Sequence, residues 1–86
     1  MYSIKFSPHA AKQFKKLDRQ TQKSISHYLD KILATDNPYN FGKALTSNLS
    51  GLWRYRVDKY RIICEIRDNM LIIEIITIEK RDKVYL

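Results

Sequence analysis

The most constraining feature of the chain is its last third, where three apolar runs follow one another with almost no room between them. Leu52–Val57, Tyr60–Arg67 and Met70–Ile78 are rich in Ile, Val and aromatic residues, and only Asp58-Lys59 and Asp68-Asn69 separate them. Two polar residues between such runs suit two-residue hairpin turns. The expected product is an antiparallel meander of three strands.

The upstream sequence supplies what such a meander needs to bury. Tyr2-Ser3-Ile4-Lys5-Phe6 alternates apolar and polar residues and predicts a short first strand. Ser7-Pro8 then offers an N-cap followed by proline at the first helical position. The helix predicted over 8–17 places Ala10, Phe14 and Leu17 on one face and leaves Lys12, Lys15 and Lys16 in solvent. Asp18 is placed to cap a second helix over 19–34. There Ile25, Tyr28, Leu29, Ile32 and Leu33 follow the i, i+3, i+4, i+7, i+8 stripe of a helix buried on one side, and Asp36-Asn37-Pro38 ends it. Residues 39–51 read as a connecting loop with a short helical or strand piece. The expected architecture is α+β, in one domain over 1–86. A short N-terminal strand joins the meander in a mainly antiparallel four-stranded sheet, and an antiparallel helix hairpin packs on one face.

Charge is the first functional clue. Sixteen Lys and Arg against nine Asp and Glu give +7, with a sequence pI of about 9.7. That balance favours a polyanionic partner. Arg54, Arg56, Arg61, Arg67 and Arg81 lie in the last 35 residues, whereas the first half relies on lysine. Arginine presents a planar bidentate fork that matches phosphate, and lysine a hydrated point charge. The single cysteine, Cys64, excludes an internal disulfide and reads as an inert core position. With no signal-like segment and no apolar run long enough to span a bilayer, the expected location is cytoplasmic.

Two-residue turns fix the register. Val57 then pairs with Tyr60, Arg56 with Arg61, Tyr55 with Ile62, and Arg54 with Ile63. Strand alternation sends Trp53, Tyr55, Val57, Tyr60, Ile62 and Cys64, with Leu71, Ile73 and Ile75, toward the helices. Arg54, Arg56 and Arg61 fall together on the opposite face. Opposed arginines repel, so something must compensate, and Glu74 on the same face is the expected counter-charge. The excess of positive charge predicts a site for phosphate. Arg81 and Tyr85 extend it if the tail folds back, since bases stack on aromatic and guanidinium planes. No metal or cofactor site is expected. His9 and His27 fall on helices away from the arginines, no metal-ligand spacing exists, and Gly42 and Gly51 form no phosphate-cradling loop.

Leu52-Trp53-Arg54-Tyr55-Arg56-Val57, Asp58-Lys59-Tyr60-Arg61-Ile62 and Glu79-Lys80-Arg81-Asp82-Lys83-Val84-Tyr85 together resemble the C-terminal half of the RelE/ParE toxin superfamily. The N-terminal strand and two helices resemble it too. The tyrosine-arginine pair Tyr60-Arg61 is common to the superfamily, including ParE-type gyrase inhibitors, while the basic tail ending in Val84-Tyr85 resembles the RNA-cleaving branch. The resemblance implies a toxin of a type II toxin–antitoxin system that cleaves messenger RNA in the ribosomal A site without a metal. It also implies neutralisation by a RelB-like antitoxin in a hetero-oligomer. In that reading Arg61 stabilises charge on the phosphate, Arg81 assists the leaving oxygen, and Tyr85 stacks on or orients the nucleotide. Arg54 lies near the nucleophile, and Arg56, Lys59, Lys80 and Lys83 hold the RNA backbone. Relatives often carry lysine where this chain has Arg54 and Arg56, and arginine does not act as a base. The proton then goes to Tyr85 or to a ribosomal group. The alternatives are a ParE-like gyrase inhibitor that cleaves nothing, and a weak toxin that acts with its antitoxin on an operator.

Overall fold

Each strand of the meander leaves a row of apolar side chains that the two helices cover. The computed structural model describes residues 1–80. In chain order these form β1 (Ser3–Phe6), α1 (Pro8–Lys16), α2 (Arg19–Thr35), β2 (Lys43–Ala44), β3 (Trp53–Val57), β4 (Tyr60–Arg67) and β5 (Ile72–Lys80). Short 3₁₀ turns occupy Pro38–Asn40 and Ser47–Leu49. The sheet order is β1-β5-β4-β3-β2, with β1 parallel to β5 and every other pairing antiparallel. The architecture is the expected α+β one. The sheet gains a fifth strand, because Lys43 and Ala44 pair with Arg54 and Trp53 inside the segment that read as a loop.

The first hairpin has the expected register: Val57 faces Tyr60, Arg56 faces Arg61, Tyr55 faces Ile62 and Arg54 faces Ile63. The second does not. Arg67 pairs with Ile72, so the turn holds four residues, Asp68 to Leu71, and β5 starts later than expected. Leu71 is therefore not a core residue. It is 41 % exposed and sits in the left-handed region with φ 55°. Ile73 and Ile75 keep the expected face because the turn lengthens by an even number of residues.

One core unites the layers: Ala10, Ile25, Leu29 and Ile32 from the helices meet Tyr55, Val57, Ile62, Cys64, Ile73, Ile75 and Ile78 from the sheet. Ile78 joins this face because Ile76 is an extra residue on β5: Ile63 pairs with Thr77, but Cys64 pairs with Ile75. β1 pairs with β5 only as far as Ile75, which leaves the edge of β5 open beyond it. The start of α1 closes that edge. Ser7 donates its backbone N–H to Ile75 O and its hydroxyl to Ile76 O, both at 2.9 Å, while accepting from Ala10 N at 3.0 Å. Gln13 Oε1 accepts from Ile78 N at 2.6 Å. Ser7 is thus a helix cap and a strand partner at once.

Candidate functional site

The face turned away from the helices carries Arg54, Arg56 and Arg61, as the register predicts. Arg56 is exposed and Arg61 half-buried. Ile63, paired with Arg54 on one side and Thr77 on the other, is nearly fully buried at 3 % and gives this face an apolar floor. Lys43 of the short fifth strand stands opposite Arg54 and adds a cation that the loop reading had missed.

The counter-charge is not the expected one. Glu74 bonds to Arg67 at 2.8 Å, and Glu65 bonds to the same guanidinium at 3.0 Å. Glu65 and Glu74 oppose each other in register, and Arg67 relieves their repulsion. The Glu74 hydrogen bond, with help from Glu65, raises the Arg67 pKa still further. Glu74 is therefore committed at the far end of β4. Arg61 has a different partner, Glu79, whose Oε1 accepts from Nη2 at 2.8 Å across β4 and β5. Arg61 Nε is buried with no hydrogen-bond partner among the described residues. Sequence reasoning missed Glu79 because the extra residue at Ile76 shifts β5 by one place; only that shift puts Glu79 on the arginine face.

The open face is consequently polarised along β4. Around Arg67 the carboxylates Glu65 and Glu74 are matched by two cations, Arg67 itself and Lys5, which stands opposite Glu74 on β1. Around Arg61 stand Arg54, Arg56 and Lys43, and among the described residues Glu79 is the carboxylate in contact with Arg61. A local excess of guanidinium groups over a desolvated apolar floor suits the binding of a phosphate and the stabilisation of charge developing on it. Lys80, expected to hold the RNA backbone, pairs with Tyr60 and shares the helix-side face of the sheet. Lys59 lies in the turn between β3 and β4. Arg81, Lys83 and Tyr85 fall outside the described residues.

Cys64 and the two histidines sit away from this site. Cys64 is buried and its thiol is pushed up to about 12 by desolvation, which keeps it protonated and unreactive at neutral pH. His9 and His27 are exposed on α1 and α2. Among the described residues no group of His, Cys, Asp and Glu is placed to hold a metal ion, and no helix is long and apolar enough to cross a membrane.

The family model described as the ParE toxin of the type II toxin–antitoxin system parDE matches residues 4–85. The chain belongs to this family. It is a type II toxin of the RelE/ParE superfamily, and solved toxins share its fold. The toxin–antitoxin complex RelBE2 from Mycobacterium tuberculosis is similar at 24% identity and TM-score 0.82, over 93% of this chain and 98% of that one. The isolated E. coli RelE toxin is similar at 17% identity and TM-score 0.75, over 93% of this toxin and 84% of that chain. The heterotetrameric YoeB-YefM toxin–antitoxin complex from Staphylococcus aureus matches at 28% identity and TM-score 0.68, over 90% of this toxin and 93% of that chain. No curated protein matches the toxin.

Proposed function

We propose that this toxin is a metal-independent, ribosome-dependent endoribonuclease that cuts messenger RNA in the A site. The observation that carries the reading is the arginine end of the open face: Arg54, Arg56 and Arg61 over a buried Ile63, with Glu79 in contact and Glu74 committed to Arg67. In the reaction the ribose 2′-oxygen attacks the adjacent phosphorus as the bond to the 5′-oxygen breaks, giving a 2′,3′-cyclic phosphate and a 5′-hydroxyl. Negative charge develops on the two non-bridging oxygens of the phosphorane, and fixed guanidinium groups stabilise it without reorganising. Glu79 holds Arg61 in place across the strands, and Arg54 and Arg56 orient the backbone. Arg81 assists the leaving oxygen, Tyr85 stacks on or orients the nucleotide, and Lys59, Lys80 and Lys83 hold flanking phosphates. Because none of the arginines can accept the proton, it passes to Tyr85 or to a ribosomal group. The toxin acts in the cytoplasm as one domain and is neutralised by a RelB-like antitoxin, as the complexes of its structural neighbours suggest.

The test is primer extension on a defined message with purified ribosomes, comparing wild type with Arg61→Ala and Arg81→Ala. A-site cuts that need ribosomes and weaken by about 100-fold or more in Arg61→Ala are expected, since one charge-stabilising donor commonly contributes that much. Growth arrest without any cut sinks the reading. The second reading, a gyrase inhibitor that cleaves nothing, draws on the ParE description of the matching family. Inhibition of supercoiling in place of cleavage decides for it.

A further inference from the structure

The tip of the β3–β4 hairpin divides the basic residues between two sides of the sheet. Arg56 and Arg61 stand on the open face, while Tyr60 and Lys80, paired with each other, stand on the helix side. On that side Asp18, Thr21, Asp58, Lys59, Tyr60 and Lys80 line a cleft of about 480 Å³, within the usual range for small-molecule sites. Its charges are mixed and not paired off: among the described residues no ion pair joins Lys59 or Lys80 to Asp18 or Asp58. Asp18 instead accepts from the Thr21 hydroxyl.

A mixed lining selects its occupant. Inorganic phosphate or an acidic peptide meets two carboxylates along with the lysines, and an apolar group meets four charges. A nucleotide carries the complementary set: an anionic phosphate for ammonium groups, amino donors on the base for a carboxylate, and a flat ring for an aromatic side chain. We propose that this cleft binds one nucleotide of single-stranded RNA, flanking the one on the arginine face, and prefers a base that bears an amino group. The strand then passes round the Asp58-Lys59 turn from one side of the sheet to the other. This inference rests on the nuclease reading and adds to it a second nucleotide site with its own base preference.

Titrating the full chain with cytidine monophosphate, uridine monophosphate and inorganic phosphate, and following backbone amides by NMR, tests the cleft without requiring cleavage. Shifts at Thr21, Lys59, Tyr60 and Lys80 are expected with cytidine monophosphate. Uridine monophosphate should bind several-fold more weakly, as the loss of one base contact implies, and phosphate should leave these amides unmoved. Lys59→Ala with Lys80→Ala, both exposed positions, should weaken cytidine monophosphate about tenfold, and Tyr60→Leu should remove the stacking by a similar factor. Equal effects of all three ligands, or none, overturn the proposal. Message cleavage with unchanged kinetics in the double lysine variant overturns the cleft and leaves the nuclease reading standing. Cytidine-selective binding in a toxin that cuts nothing supports the cleft and removes the nuclease reading.

Discussion

Single positions show where this fold has no slack. Gly42 has φ 75° and lies so close to β3 that an added Cβ would meet Arg54 O at 2.2 Å and both Trp53 Nε1 and Tyr55 Cδ1 at 2.8 Å. Gly51 has φ 95° with nothing within 4 Å of the same added atom. Substitution at Gly51 therefore costs backbone strain alone, about 1 kcal/mol, whereas Gly42→Ala adds a clash with backbone and should cost roughly 3 kcal/mol. Thermal unfolding should place Gly42→Ala on the order of 10 °C below Gly51→Ala, and equal Tm values would mean that the approach of Gly42 to β3 is relaxed in solution. Glu79 carries the matching functional prediction. Its carboxylate holds the Arg61 guanidinium but also competes with phosphate for it. Glu79→Gln should bind a non-cleavable RNA several-fold more tightly, because one charge opposing the ligand is gone, and cut more slowly, because Arg61 loses its anchor. Weaker binding in that variant would show that Glu79 does not face the ligand.

At the scale of elements, β1, α1, α2, β3 and β4 were legible because each obeys one period over its whole length. The stripe Ile25, Leu29, Ile32 is buried as its spacing predicts, and the two-residue turn at Asp58-Lys59 sets the register that gathers Arg54, Arg56 and Arg61. What could not be read depends on contacts distant in sequence. The segment between α2 and β3 shows no period, yet Tyr55 donates its hydroxyl to Pro38 O at 2.7 Å and Trp53 Nε1 donates to Phe41 O at 2.7 Å, which fix it against β3. The extra residue at Ile76 is favoured by Ser7 and Gln13 reaching the β5 edge, and nothing in the run Ile72–Ile78 announces it. Asp68 ties three elements in the same non-local way. Tyr2 donates to it at 2.6 Å from just before β1, and Tyr39 donates at 2.8 Å from the segment after α2. Those hydroxyls hold the Asp68 carboxyl below its ordinary value, Tyr2 most strongly. A carboxyl lowered in the folded state contributes stability above its unfolded pKa, and the contribution is lost as pH falls through the folded value. Tm should thus drop on acidification below about pH 4, and Asp68→Asn should flatten that limb in a pH series of thermal melts. The flattening should be partial, because Asp18 is lowered by the Thr21 hydroxyl and acts over the same range. An unchanged acid limb would remove Asp68 from the account.

Across the whole molecule, the described basic side chains lie on opposite sides of one sheet. Arginines gather on the open face, while Lys12, Lys15 and Lys16 are exposed along α1 on the covered side. Beside α1 runs a groove of about 250 Å³ lined by Ile4, Phe6, Phe14, Leu29 and Leu33 together with Ser26 and Asp30. An amphipathic segment of a neutralising antitoxin needs both: an apolar trough for its buried face and lysines for its acids. We therefore predict that the antitoxin lies along α1 and the adjoining β1 edge. Charges at the rim of an interface act mainly on the association rate and its salt dependence. Reversing all three lysines to glutamate should slow association by about tenfold or more at low salt, an effect that fades as ionic strength rises and screening sets in. Phe14 lines the trough and packs edge-on against Phe6, with ring centroids 5.3 Å apart. Phe14→Ala should instead speed dissociation, since a trough that has lost its wall holds its occupant less well. Surface plasmon resonance with the cognate antitoxin separates the two rates. If neither changes, the antitoxin covers the arginine face, and Arg54→Glu with Arg56→Glu should then abolish capture while the lysine variant retains it.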